Sequence, residues 1–281
     1  LMPGIITTID RVDYSNDTAT AVAKGPLTVG KLRMGVASPR ANALPTADKV
    51  TAANIINPDS ETGSGYWAHQ YDTTFDWNSE YGDGSSLGTN YGYITGSSAP
   101  AYTTTNNRID FASDAGTTAT KGPLSAAKGY HRGVSSLSYG YLGGGYHPSA
   151  HPGYSTVDRL DYSSDTDTAV EKGPLTQNMT NGGGAGNTSY GYIGGGSLGG
   201  TPYSTINRID YADDTPTALA KGPLNTARTG LKATGNQSYG YWGGGHTGWP
   251  NFVSTIDRID YSNDTATASP KGALSQKREG V

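Results

Sequence analysis

A chain of 281 residues with a formal net charge of −4 and 16% charged residues lacks the high net charge of a disordered chain and the clustered Lys and Arg that phosphate contacts need. The absence of cysteine excludes disulfides, thiolate metal sites and cysteine nucleophiles. Abundant Gly, Thr, Ser and Tyr argue for strands and tight turns, and no apolar run approaches the length of a membrane span.

In chain order, the first predicted element is a strand at Thr8–Tyr14, inside "DRVDYSNDTATAVAKGPL" from Asp10. This motif returns as "NRIDFASDAGTTATKGPL" from Asn107, "DRLDYSSDTDTAVEKGPL" from Asp158, "NRIDYADDTPTALAKGPL" from Asn207 and "DRIDYSNDTATASPKGAL" from Asp257. Its arginines, Arg11, Arg108, Arg159, Arg208 and Arg258, are spaced by 97, 51, 49 and 50 residues. A second motif keeps step with it: "NYGYITGS" from Asn90, then "SYGYLGGG", "SYGYIGGG" and "SYGYWGGG" from Ser138, Ser189 and Ser238. The chain is therefore a repeat array with a period of about 50 residues. The first interval is close to two periods, so residues 38–86 read either as a degenerate unit, which we favour, or as an insertion in one loop.

The last unit shows the expected build. "GLKATG" (230–235), "SYGYWGG" (238–244), "TIDRIDY" (255–261) and "TATASP" (265–270) are four short strands, A to D, joined by turn residues and without helical periodicity. Alternation in strand C places Ile256, Arg258 and Asp260 on one face and Asp257, Ile259 and Tyr261 on the other. Four short antiparallel strands per repeat is the pattern of a β-propeller blade. The expected class is all-β: a single domain over 1–281, with about six blades of four-stranded antiparallel sheet, one of them degenerate.

The unit resembles a kelch repeat. The matching features are a basic residue opening strand A (Lys31, Lys128, Arg228, Arg278), the aromatic and diglycine strand "YGYxGG", and "RIDYSNDT" followed by the Pro-containing link "KGPL". Where kelch units usually carry a Trp in strand D, this chain has Ala or Thr, so blade packing should rest on Tyr and Ile columns. The wording of the repeat is also similar to that of predicted structural or tail proteins of marine bacteriophages. Because the chain starts in strand C and ends in strand A, a ring made from these ends would lack one strand B. The chain is thus expected to be a segment of a longer one, or to have that gap filled by a partner chain.

Five copies of one charged cluster cannot all be a single asymmetric catalytic site. Arg11 and Asp13, Arg108 and Asp110, Arg159 and Asp161, Arg208 and Asp210, and Arg258 and Asp260 read as a structural ladder of ion pairs and hydrogen bonds between blades, each arginine within reach of its own aspartate or of a carboxylate on a neighbouring blade. Asp260, Ser262 and Asp264 have the alternation of a calcium loop but lack its Gly and closing Glu, so turn capping is the better reading. The triple glycines lack the Lys and helix of a phosphate loop. His131, Arg132 and Lys232 on the first strands could line an axial channel.

The variable parts are the B–C loops at 97–105, 146–155, 197–204 and 246–254. Their Tyr102, Tyr146, His147, His151, Tyr154, Tyr203, His246, Trp249 and Phe252 are the candidate binding residues, since ligand contacts collect on loops held by a rigid frame. No catalytic residue, metal or cofactor is assigned. The expected function is a non-enzymatic binding or structural module, a virion tail or fibre component. The alternatives are a carbohydrate-binding lectin or adhesin and, behind it, a glycan-active enzyme. Expected partners are other virion or surface proteins and glycans, with neither nucleic acid nor membrane insertion; self-association stays open. The expected location is the virion or the extracellular space.

Overall fold

The computed structural model describes residues 91–279 except 112, 114–115 and 150–152, together with the short strands at 9–11, 22–24 and 35–37. The protein is all-β. Strands β1 (Ile9–Arg11) and β2 (Val22–Lys24) form an antiparallel pair. Four antiparallel sheets of four strands follow. They are β3 (Gly35–Ala37), β4 (Tyr91–Ser97), β5 (Thr103–Asp110) and β6 (Ala119–Lys121); β7 (Arg132–Ser135), β8 (Tyr139–Gly143), β9 (Val157–Asp161) and β10 (Val170–Lys172); β11 (Gly183–Gly186), β12 (Tyr190–Gly194), β15 (Ile206–Asp210) and β16 (Leu219–Lys221); and β17 (Lys232–Gly235), β18 (Tyr239–Gly243), β19 (Ile256–Asp260) and β20 (Ser269–Lys271). A small hairpin, β13 (Ser197–Leu198) and β14 (Thr201–Pro202), rises from the third sheet.

The register repeats from sheet to sheet. Tyr93, Tyr141, Tyr192 and Tyr241 face Arg108, Arg159, Arg208 and Arg258 across the two middle strands. Pairing of β1 with β2 repeats it too: Ile9, Asp10 and Arg11 oppose Lys24, Ala23 and Val22, as Ile256, Asp257 and Arg258 oppose Lys271, Pro270 and Ser269. Strands β3 and β4 pair directly. Residues 38–86, expected to be a degenerate unit or an insertion, lie between these two strands in sequence and fall outside the described residues.

The fourth strand begins later than "TATASP" suggested. Strand β20 covers Ser269–Lys271. The preceding TATA segment leans on the previous sheet instead, where the Ala268 amide donates to the Pro223 carbonyl at 2.8 Å. Ala169 and Ala218 bond Pro123 and Pro174 in the same way. This contact puts a small residue where a large one would not fit: Ala169, Ala218 and Ala268 are all buried.

The first strands β3, β7, β11 and β17 contact one another in succession. Between sheets, Tyr141, Val157, Leu175, Met179 and Ile193 form one apolar cluster, and Tyr192, Ile206, Leu224, Leu231 and Trp242 the next. Each buried tyrosine also stacks on a tyrosine of the following repeat: Tyr93 on Tyr162, Tyr141 on Tyr211 and Tyr192 on Tyr261, with centroids 4.7–5.1 Å apart. Burying an aromatic or aliphatic side chain contributes roughly 1.5–3 kcal/mol, so these columns are the main cohesion between repeats.

Candidate functional site

Two kinds of site emerge from the residues marked by the sequence. One is buried and repeated; the other is exposed and differs from loop to loop.

The buried one is a clamp around an aspartate. Arg108 Nη1 lies 2.9 Å from Asp165 Oδ2, Lys121 Nζ lies 3.0 Å from its Oδ1, and the Tyr93 hydroxyl donates to Oδ2 at 2.9 Å. Arg159, Lys172 and Tyr141 hold Asp214 at 2.8, 3.2 and 3.1 Å. Arg208, Lys221 and Tyr192 hold Asp264 at 2.8, 3.1 and 2.8 Å. In each case the three donors sit on one sheet and the carboxylate sits in the turn of the next repeat. The amides of Gly122, Gly173 and Gly222 complete the contact by donating to the carbonyls of the same three aspartates at 2.8–2.9 Å. The guanidiniums also lie 3.9–4.3 Å over the rings of Tyr91, Tyr139 and Tyr190.

The partner is thus not the aspartate two places after each arginine. Asp161, Asp210 and Asp260 face outward and cap their own turns, accepting from the amides of Ser163, Ala212 and Ser262 at 2.8–3.0 Å. A short carboxylate just past a strand finds its nearest donors in its own backbone. The Asp110 carbonyl, for its part, accepts from the Ser113 amide. Arg11 and Asp13 belong to the first repeat, whose side chains lie outside the described residues. Asp260 and Ser262 bond each other while Asp264 is held by the previous sheet, so these three oxygens do not converge.

Burial raises the pKa of the clamped aspartates, but hydrogen bonds from Lys121 and Tyr93 and the charge of Arg108 outweigh it and hold Asp165 below the usual carboxylate range. Asp214 and Asp264 are held down by the same balance. Tyr93, Tyr141 and Tyr192 are pushed up by burial and by the carboxylate they bond. No free acid or base remains in the clamp; it binds one repeat to the next.

The exposed site is aromatic. Tyr102, from the β4–β5 loop, meets Tyr146 and His147 of the β8–β9 loop edge-on, with centroids 5.8 and 5.1 Å apart. Tyr130 completes the group, 6.5 Å from Tyr102 and 6.4 Å from Tyr146. Sequence reasoning passed over Tyr130 because it stands just before strand β7 rather than in a variable B–C loop. Its backbone lies in the left-handed region, with φ +62°. The His147 ring is fixed by Ser149, whose amide donates to Nδ1 at 3.1 Å.

A second group sits on the last sheet. His246, Trp249 and Phe252 are mutually edge-on at 5.1–6.3 Å, and Trp249 is 74% exposed. The remaining candidates stand apart. Tyr203 packs against the second sheet's apolar cluster. Tyr154 is half-buried, with Lys128 Nζ 5.9 Å from its ring centre, and burial raises its pKa. His151 lies outside the described residues. Of the channel candidates, His131 is wholly buried and bonded to Thr95 at 2.8 Å. Arg132 donates to the Gly182 and His131 carbonyls, and Lys232 is exposed.

Among the described residues no group of three or more His, Asp or Glu could hold a metal ion, and no helix is long and apolar enough to cross a membrane. No protein-family model and no curated protein matches the sequence.

Proposed function

We propose that this chain is a kelch-like β-propeller of about six blades that works as a non-enzymatic binding or structural module, a tail or fibre component of a phage virion that contacts protein or host surface. One observation carries the binding role: the repeated polar groups are consumed between sheets, while the aromatics that differ from loop to loop stay at the surface. Clustered edge-on aromatics with exposed rings suit protein hot spots and sugar faces alike. The wording of the repeat supports the virion placement.

Exposed Trp249 favours a second reading, a glycan-binding adhesin. A glycan array and whole-cell binding with the purified chain separate the two. Cell binding without glycan binding supports the first reading, and glycan binding lost in Trp249→Ala supports the second. Turnover of any glycan in a reducing-end assay overturns the non-enzymatic role. Neighbouring capsid or tail genes support the virion placement; a cellular operon overturns it.

A further inference from the structure

Tyr130 occupies a backbone position that suits glycine. Its φ is +62°, and the equivalent residues of the next two repeats are Asn181 at +56° and Gly230 at +68°. The left-handed region is open to Gly, tolerated by Asn and disfavoured for a bulky side chain. The frame imposes this conformation whatever the side chain. The Tyr130 carbonyl accepts from the Asn181 amide at 3.0 Å, and the Asn181 carbonyl accepts from the Gly230 amide at 2.9 Å. The residue before each pairs with a B–C loop: Gly129 with Tyr146, Thr180 with Ser197 and Thr229 with His246. Amides and carbonyls close these three bridges at 2.8–3.1 Å. Asn181 and Ser197 thus build the same corner without a ring.

Only at the second sheet is the corner aromatic on both sides of the bridge. There Tyr130 joins Tyr102, Tyr146 and His147 in one group, all four half-buried. An unfavourable residue held in place by its surroundings points to function rather than stability.

We infer that Tyr102, Tyr130, Tyr146 and His147 form a subsite for a neutral sugar ring, separate from the Trp249 group; this rests on the binding role proposed above. Charge decides the class of ligand. The described parts of the two loops, 97–105 and 146–149, hold no Lys, Arg, Asp or Glu. The cations nearest Tyr130 in sequence are taken. Lys128 is wholly buried and paired with Asp158 at 3.2 Å, and Arg132 donates to the Gly182 and His131 carbonyls. A sialylated or sulfated sugar, or an acidic peptide, would find no counter-charge in these loops. Tyrosine instead offers an apolar ring with a polar tip, which matches the C–H face and hydroxyl rim of a sugar. His147 adds a directed donor. Its Nδ1 accepts from the Ser149 amide at 3.1 Å, so the neutral ring carries its proton on Nε2.

Tyr130→Asn, which copies the next repeat, separates binding from folding. The native chain, Tyr130→Asn, Tyr102→Ala and Trp249→Ala are screened on an array of neutral hexose oligosaccharides beside sialylated and sulfated ones. The strongest neutral hit is then titrated by calorimetry, and each variant is melted. The expected result is binding of neutral oligosaccharides that weakens at least about tenfold in Tyr130→Asn and in Tyr102→Ala, while the Tm of Tyr130→Asn stays at that of the native chain. A clear Tm loss in Tyr130→Asn makes the ring a packing element and overturns the assignment. Binding kept in Tyr130→Asn but lost in Trp249→Ala overturns the subsite and leaves the glycan reading standing. Binding of acidic glycans alone overturns the neutral class. Cell binding without glycan binding overturns the subsite and leaves the binding role to protein contacts, and a chain that binds neither overturns that role as well.

Discussion

Lys128 and Asp158 form an ion pair 3.2 Å long with both side chains wholly buried, and one repeat later Met179 and Asn207 stand in their places. The charges vanish together. In the last sheet they return as Arg228 and Asp257, 2.9 Å apart and again buried. The acceptor role is kept throughout: Asp158 Oδ1 accepts from the Ser125 hydroxyl at 2.6 Å, and Asn207 Oδ1 accepts from that of Thr176 at 2.6 Å. Across these three sheets the turn keeps its oxygen, and a buried cation stands beside that oxygen where it is charged. Burial pushes Lys128 and Arg228 down and Asp257 up, and the opposite charge offsets this in each case.

Removing one member should therefore cost far more than exchanging both. Lys128→Met leaves a buried carboxylate unpaired and should lose about 3–5 kcal/mol. Lys128→Met with Asp158→Asn copies the neighbouring sheet and should recover most of that loss. Urea denaturation of the two single variants and the double variant measures it; a double variant as unstable as Lys128→Met would contradict the pairing argument.

Acid should loosen the sheets through the clamps. The folded constants of Asp165, Asp214 and Asp264 lie below the unfolded value of about 4. Their contribution is then fully present above that value and is lost as pH falls through the folded constants. Stability should be level from about pH 5 to 7 and drop below about pH 4. Asp214→Asn should be less stable at neutral pH and show a shallower acid limb. Denaturation midpoints across pH decide this, and an acid limb unchanged by Asp214→Asn would refute it.

Close approach at the KGPL turn should be intolerant of a methyl group. A Cβ on Gly222 would sit 1.8 Å from the Ala266 carbonyl oxygen, which belongs to rigid backbone. Gly222→Ala should cost at least ~2 kcal/mol, within the range for overpacking. Gly116→Ala, whose Cβ would meet nothing nearer than 3.9 Å among the described residues, should be close to neutral. Equal effects at the two positions in chemical denaturation would remove the steric explanation.

Much of this frame was legible in the sequence, because repetition exposes what a single copy hides. Five copies of RxD followed by Tyr or Phe marked a strand and a structural charge, and alternation gave its faces. The identity of the ion-pair partner was not legible. Strand period links Arg258 to Asp260, whereas the contact that forms lies between Arg208 and Asp264, on different sheets. That choice depends on how a turn from one repeat nests on the glycine of another, which is a tertiary fact. The start of β20 was missed for the same reason, since TATA is a good strand sequence until the neighbouring sheet claims its amides. Among the loop aromatics, composition marked Tyr102, Tyr146 and Trp249 but could not separate them from inward-packed Tyr203.

Trp249 should report ligand binding without supporting the fold. Its ring is mostly exposed, whereas Trp242 is buried with its indole N–H donating to the Gly183 carbonyl at 3.1 Å. Trp249→Ala should shift stability by no more than about 0.5 kcal/mol, as for other exposed positions. Trp242→Ala should cost about 3–5 kcal/mol from the lost burial and cavity. If the loops bind as proposed, a bound oligosaccharide or surface protein should change the indole emission of the native chain, and Trp249→Ala should lose that change along with roughly 2 kcal/mol or more of affinity. Fluorescence titration beside a thermal melt reads both quantities. Unaltered binding by Trp249→Ala would move the site to the Tyr102, Tyr130 and Tyr146 cluster, where Tyr102→Ala is the corresponding test.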